Sequence, residues 1–94
     1  MVVSYRDKRT RIFAEGGFVR EFEAFRRQME KRLMILEAAS GLGDLRALPS
    51  NRLEALHGSR HGQWSIRVNV RWRICFEWPD GAPGPLNVEI VDYH

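Results

Sequence analysis

The spacing of hydrophobic residues follows a helical repeat through the first half of the chain. Large apolar residues recur every three or four positions, which places them on one stripe of an α-helix: Phe18, Phe22, Phe25, Met29, Leu33 and Leu36. The residues between them alternate in charge, as on a solvated helix face. This pattern predicts helix over residues 18–39, as one helix or as an αα-hairpin, with Gly41 as its C-cap.

From Trp64 onward the hydrophobic period is two. Eight apolar residues share one parity: Trp64, Ile66, Val68, Val70, Trp72, Ile74, Phe76 and Trp78. Single strands are seldom that long. The run therefore predicts two strands joined by a tight turn near residues 68–70. A turn-rich loop, Pro79–Pro85, then leads into a final strand in which Leu86, Val88 and Ile90 alternate with other residues.

Shorter segments complete the predicted fold. Residues 2–5 are β-prone and typical of an edge strand, and residues 7–13 predict a short helix that the Gly16–Gly17 pair breaks. Residues 42–51 read as a connector, and residues 52–56 as a short strand. Helices followed by consecutive strands indicate an α+β fold: an N-terminal helix or helix pair packed on a small, mainly antiparallel sheet. The helical stripe is expected to cover one sheet face, and the other face to present the polar parity.

Composition sets the broad class of protein. The 94 residues suit a single domain over residues 1–94, and 44% hydrophobic with 29% charged residues favours a folded over a disordered chain. The one cysteine, Cys75, lies in the alternating stretch and is expected to be a buried structural thiol. Neither a signal peptide nor a membrane-spanning run is visible. These features predict a cytoplasmic protein without membrane contact.

Positive charge is concentrated in one window. The formal net charge is +3, yet residues 55–76 contain no Asp or Glu. The window holds His57, Arg60, His61, Arg67, Arg71 and Arg73. Arginines at alternate strand positions present planar guanidinium groups that suit phosphate oxygens. Pairing with Glu54, Glu77 or Glu89 accounts equally well for any single arginine. The window as a whole predicts a polyanion site, although an acidic protein partner is equally compatible.

The chain ends on three polar groups directly after a predicted strand: Asp92, Tyr93 and His94. In an antiparallel sheet this strand should lie beside the strand of residues 72–78, which would bring the last residues near His57, Arg60 and Arg73. RNA cleavage needs a base for the 2′-hydroxyl, a cation for the charge that develops on the phosphate, and an acid for the leaving oxygen.

These side chains can be given roles in such a reaction. His94 suits the base or the acid, since an unperturbed imidazole has a pKa of about 6.5, and Asp92 would stabilise its imidazolium form. Arg73 would hold the phosphate, and Tyr93 would stack on a base or donate a proton. His57 and His61 are the other candidates for proton transfer. Three dispersed histidines make a zinc site improbable, and no cofactor motif is visible.

Several stretches together resemble the HigB toxins of the RelE/ParE superfamily, from type II toxin–antitoxin systems. The stretches are Tyr5–Lys8, Leu36–Ala39, Arg52–Leu56, Gly62–Asn69, Trp72–Trp78 and Val88–His94. The resemblance therefore covers almost the whole chain. It is specific in the hairpin and in the Asp-Tyr-His ending.

The resemblance implies a RelE-like α+β fold and ribosome-dependent cleavage of mRNA in the A site. It also implies a HigA-type antitoxin with a helix-turn-helix domain, the pair repressing their own operon. The family's functional groups fall on Arg73, Asp92, Tyr93 and His94, with Arg60 and the position of His57 in support. The family often has Lys at the position of His57, an acid where Ser59 stands, and Asp where Val70 stands.

Two other functions are compatible with the same sequence. One is a ParE-like gyrase poison that acts by protein binding, against which the Asp-Tyr-His ending argues, because a binding surface needs no proton-transfer groups. The other is an inactive relative that serves only to bind an antitoxin, an alternative that the residues at His57 and Val70 keep open.

Overall fold

The computed structural model describes residues 1–92, so the predictions for Tyr93 and His94 lie outside the described residues. Three α-helices precede four strands: α1 (Lys8–Ala14), α2 (Arg26–Ala38), α3 (Leu42–Arg46), β1 (Glu54–Ala55), β2 (Trp64–Arg67), β3 (Trp72–Glu77) and β4 (Leu86–Asp92). Short 3₁₀ turns occur at Arg20–Phe25, Pro49–Asn51 and Gly58–Arg60. None of the helices in this part of the chain is long and apolar enough to cross a bilayer.

The strands form one antiparallel sheet in the order β1-β2-β3-β4. Ile66 pairs with Ile74, which in turn pairs with Ile90, so the predicted hairpin and the predicted neighbour of the last strand are both confirmed. Asn69 closes the β2–β3 turn because its side-chain oxygen accepts from the backbone N–H groups of Arg71 at 2.8 Å and Trp72 at 2.9 Å. The α+β prediction is confirmed.

The core lies between the helical layer and the Trp72 face of the sheet. Phe22 packs edge-to-face against Phe13 and against Trp72, with ring centroids 5.4 Å apart in each pair. Further along α2, three members of the predicted stripe are buried: Met29, Leu33 and Leu36. One member is wrong, since Phe18 is 72% exposed. Phe18 precedes a 3₁₀ turn of three residues per turn, so it is out of phase with the α-helical stripe.

The boundaries after the long helix also differ from prediction. α2 ends at Ala38, and Ala39 is already extended, so Gly41 is not its C-cap. Gly41 instead precedes α3, a short helix inside the predicted connector. α3 is too short for a periodic signal, and buried Leu45 anchors it in the core.

The second sheet face is less open than predicted. Ser65, Arg73 and Cys75 belong to the polar parity, yet all three are buried. Leu56, just after β1, packs with Cys75 and Val91 in a small apolar cluster. The predicted burial of Cys75 is confirmed, and that burial raises the pKa of its thiol.

The N-terminal segment lies along the free edge of β4. Tyr5 forms a parallel bridge with Val88, and the N–H of Val3 donates to the carbonyl of Pro85 at 2.9 Å. The predicted edge strand is therefore not a full strand, and its pairing with β4 consists of one isolated parallel bridge. Further along, the buried hydroxyl of Thr10 accepts from the N–H of Ile90 at 3.0 Å, which ties α1 to the same strand.

Candidate functional site

A groove of about 440 Å³ opens beside the β2–β3 turn. It is lined by Arg52, Leu53, Glu54, Arg67, Asn69, Val70 and Arg73. Asp92 lies at the same end of the sheet, because it pairs with Trp72 at the start of β3. The structure thus gathers Arg67, Arg71, Arg73 and Asp92 around one end of the sheet.

Arg73 is the most buried cation of this groove, with only 9% of its surface exposed. Its Nε donates to the hydroxyl of Ser65 at 2.7 Å, and its Nη2 donates to the carbonyl of Arg52 at 2.8 Å. A buried guanidinium needs such acceptors, and its planar fork is held in one orientation by them. Arg52 has a left-handed backbone, with φ of 46°.

Glu54 forms an ion pair with Arg73 from the neighbouring wall of the groove. Its carboxylate Oε1 lies 3.3 Å from Nη2 of Arg73, and the Glu54 side chain is more than half exposed while that of Arg73 is almost covered. The carboxylate therefore stands on the solvent side of the guanidinium. An anion that enters the groove competes with Glu54 for Arg73.

Arg71 connects the β2–β3 turn to the end of β4. Its Nε and Nη2 donate to Oδ2 of Asp92 at 2.9 and 2.7 Å. This bonding raises the pKa of Arg71, so the guanidinium stays charged. The ion pair therefore joins the β2–β3 turn to the end of β4, where Asp92 also pairs with Trp72.

Arg67 and Val70 form the outer part of the groove. Nε of Arg67 donates to the carbonyl of Asn69 at 3.1 Å, and within residues 1–92 Arg67 forms no ion pair. Val70 is 85% exposed at the tip of the turn. A cation and an exposed apolar side chain that line the same groove suit a ligand with both anionic and apolar groups.

The remaining predicted residues lie toward the other end of β1. Leu56 donates its N–H to the carbonyl of Gln63, four residues before Arg67, so His57 and His61 follow the end of β1 that points away from Arg73. Both histidines are exposed. Arg60 donates through Nη1 to Glu89 at 3.1 Å. Within the described residues, the structure does not place His57 or His61 in the groove.

Residues 55–76 contain no Asp or Glu, yet carboxylates from other parts of the chain lie beside their arginines in the folded protein. Glu54 meets Arg73, Glu89 meets Arg60, and Asp92 meets Arg71. All three carboxylates come from outside residues 55–76, and strand pairing brings them to the arginines. The local charge is therefore lower than the arginines of residues 55–76 alone suggest.

Sequence reasoning missed the neutral groups that orient Arg73. Ser65 and Arg73 share a sheet face because Ser65 pairs with Cys75 and Arg67 pairs with Arg73. Given that register, the contact between Ser65 and Arg73 follows, since diagonal neighbours on one face lie within reach of a long side chain.

Among residues 1–92, no group of three or more His, Cys, Asp and Glu side chains is placed to hold a metal ion.

Comparison with known proteins identifies the family. The model of a RelE-like toxin of the type II toxin–antitoxin system HigB matches residues 4–94. This chain belongs to the HigB-like toxin family. The resemblance predicted from the sequence is thereby confirmed, and membership in a type II toxin–antitoxin family implies an antitoxin partner.

Individual relatives agree with this family. The chain is 33% identical over 95 aligned positions, the full length of both proteins, to "Endoribonuclease HigB" of Proteus vulgaris. It is 48% identical over 52 residues to "Toxin HigB-1" of Vibrio cholerae, a match that spans 55% of each chain. A solved YoeB/ParE toxin from Agrobacterium tumefaciens superposes with a TM-score of 0.52 at 15% identity, covering 99% of this chain and 96% of that one. This last likeness supports the fold alone.

Proposed function

We propose that this chain is a ribosome-dependent endoribonuclease, the toxin of a type II module, which cleaves mRNA in the ribosomal A site. Arg73 carries the proposal, as a nearly buried guanidinium oriented by Ser65 and Arg52 at the wall of an open groove. A fixed, water-poor cation of this kind suits the charge that develops on a phosphate during cleavage. The full-length Proteus vulgaris relative, whose name is that of an endoribonuclease, supports the same reaction.

The proposed reaction is an internal transesterification of RNA. A base removes the proton of a 2′-hydroxyl, and that oxygen attacks the adjacent phosphorus. The bond from phosphorus to the 5′-oxygen breaks, and an acid protonates the leaving oxygen. The products are a 2′,3′-cyclic phosphate and a 5′-hydroxyl. In this scheme Arg73 binds the non-bridging oxygens, and His94 transfers one of the two protons.

Asp92 supports the scheme through its place in the fold. It ends β4 beside the groove and accepts hydrogen bonds from Arg71. Tyr93 is proposed to stack on a base or to donate a proton. His57 lies beyond the far end of β1 and outside the groove, so we propose it as a contact to RNA that extends past the groove, in place of the proton transfer expected from the sequence.

The proposed contacts to RNA and ribosome extend beyond the groove. Arg60, His61, Arg67 and Arg71 supply cationic or hydrogen-bonding groups for phosphates, which position a nucleic acid but do not read its sequence. The proposed antitoxin is of the HigA type, with a helix-turn-helix domain, and the pair represses its own operon. Translating ribosomes place the reaction in the cytoplasm.

The direct test is induction of the toxin without antitoxin in a bacterial host, with transcript ends mapped by primer extension. Wild type is expected to arrest growth and to produce cleavage that depends on translation. The His94→Ala, Arg73→Ala double variant is expected to do neither. Because Arg73 is buried, Arg73→Lys and thermal melting of each variant separate lost chemistry from lost folding. Arg20→Ala, an exposed arginine of the helical layer, is the matched control.

Three results would contradict this proposal. Cleavage and arrest that survive in the double variant would remove the catalytic assignment. Growth arrest with a DNA-damage response, and with intact transcripts, would instead identify a ParE-like gyrase poison. A toxin that causes neither effect but still binds the antitoxin would be the inactive relative.

A further inference from the structure

A second groove, of about 560 Å³, lies between the N-terminal segment, α1 and α2. It is lined by Val2, Tyr5, Phe13, Ala14, Gly16, Glu30, Leu33, Met34 and Glu37. None of these residues lines the Arg73 groove. This volume lies within the usual range of ligand-binding clefts.

The floor and one rim of this groove are apolar. Phe13 and Leu33 belong to the core and close the bottom. Met34 stands at the rim with 71% of its surface exposed, although the adjacent Leu33, about 100° away around the helix, is buried. Methionine is unbranched and adapts to the shape of a partner, so it recurs on surfaces that receive another chain. An exposed apolar group above an apolar floor marks an interaction site more than a scattered surface residue does.

The rest of the rim is acidic on a chain whose formal charge is +3. Glu30 and Glu37 line the groove, and Glu15 adds a third carboxylate. Arg26 offsets Glu30 at 2.9 Å, whereas the carboxylate of Glu37 accepts from the backbone N–H of Val2 and its carbonyl accepts from the N-terminal ammonium of Met1. Burial, with the negative charges of Glu37 and Glu15, raises the pKa of Tyr5 in the same groove. Three carboxylates against the Arg26 guanidinium and the Met1 ammonium leave this rim net negative, which disfavours RNA phosphates here.

We propose that this groove binds a segment of the antitoxin that inserts aliphatic side chains over Phe13 and Leu33 and sets a Lys or Arg against Glu37. The apolar floor selects the aliphatic groups, and the acidic rim selects the cation. The proposal rests on the antitoxin partner that the family implies and is independent of the RNA chemistry. The hydroxyl of Tyr5, which has no hydrogen-bond partner within the described residues, is available to such a segment.

The test measures the affinity of full-length toxin variants for the helix-turn-helix protein encoded beside this gene. Toxin is separated from the co-expressed complex in denaturant and refolded, and binding is followed by biolayer interferometry. Met34→Glu places a charge over the apolar floor, and we expect it to weaken binding by about tenfold or more. Leu48→Glu makes the same change at another exposed apolar residue, outside the groove, and should bind like wild type.

The charge is tested separately with Glu37→Gln, which keeps an oxygen for the N–H of Val2. We expect association to slow about threefold at low salt, with the difference vanishing at high salt. RNA cleavage by both variants in the absence of antitoxin should equal that of wild type. Failure of the proposed function would appear in this cleavage assay, whereas failure of the docking surface would appear only in binding.

Two outcomes overturn the docking surface. One is wild-type affinity for both Met34→Glu and Glu37→Gln, with melting temperatures unchanged. The other is a toxin that self-associates in sedimentation velocity and becomes monomeric on Met34→Glu while antitoxin affinity is retained, because a second copy would then be the occupant of the groove.

Discussion

Arg71 and Asp92 are joined by two hydrogen bonds to one carboxylate oxygen, at 2.9 and 2.7 Å, across the end of the β3–β4 pair. This pair sets the position of the backbone just before the proposed catalytic residues. Arg71 therefore has two possible effects on cleavage, one through RNA binding and one through Asp92.

A double-mutant cycle separates these effects. If Arg71 acts by positioning Asp92, then Arg71→Gln and Asp92→Asn should each slow single-turnover cleavage, by roughly tenfold, and the double variant should be no slower than the worse single variant. Arg20→Gln serves as the charge control. Multiplying effects would instead show that the two residues act independently, and the positioning role would be lost.

Removing the charge of Glu54 should strengthen RNA binding. Glu54 stands 3.3 Å from Arg73 and competes with phosphate for it. For Glu54→Gln we expect affinity for a non-cleavable 2′-O-methyl RNA to rise by about two- to fivefold at low salt, measured by fluorescence anisotropy, with a smaller gain at high salt. Glu21→Gln changes net charge equally at the exposed Arg9 pair. An equal gain in that control would mean that only overall charge matters.

Two phenylalanines only four residues apart should differ sharply in their effect on stability. Phe22 is fully buried between Phe13 and Trp72, whereas Phe18 is mostly exposed. We expect Phe22→Ala to lower the free energy of unfolding by about 3–5 kcal/mol and Phe18→Ala by less than about 0.5 kcal/mol, measured in urea. Similar losses would contradict the assignment of Phe18 to the surface.

Cys75 should make stability fall in alkali. Burial raises the pKa of its thiol above the ordinary value of 9.0, so the folded protein keeps a proton that the unfolded chain loses. The thiol therefore contributes stability that is fully present below that ordinary pKa and is lost as the pH rises above it. Between about pH 8 and about pH 10, the free energy of unfolding should fall more in wild type than in Cys75→Ala. Parallel pH curves for the two proteins would refute this.

The sequence predicts the sheet better than the helical layer, for physical reasons. The period of two from Trp64 to Trp78 determines which face of β2 and β3 packs against the helical layer, so the hairpin follows directly. The predicted burial of Phe18 is wrong because a 3₁₀ turn changes the helical repeat, and the spacing of apolar residues does not reveal that change. The sequence does not predict α3 because five residues are too few to show a helical period.

The sequence predicts the arginines of the candidate site, but it does not predict which carboxylates pair with them. Arg67, Arg71 and Arg73 stand at fixed parity along the chain, and the turn brings them together. Glu54 and Asp92 reach them only through strand register, which depends on the whole sheet. The residue types thus indicate a polyanion site. The net charge of that site can be worked out only once the fold shows which carboxylates pair with its arginines.

The bond from Ile90 to Thr10 joins residues 80 positions apart. Closing a loop of that length costs roughly 4 kcal/mol in chain entropy before any contact rewards it. β4 pairs with β3 through a short connection, whereas Tyr5 and Thr10 reach it from the other end of the chain, so docking of the N-terminal segment is expected to be a late event in folding. Until then β4 presents an unpaired edge, the kind of edge on which other chains assemble. A toxin unable to seat its N-terminal segment would therefore be lost to aggregation as well as to inactivity.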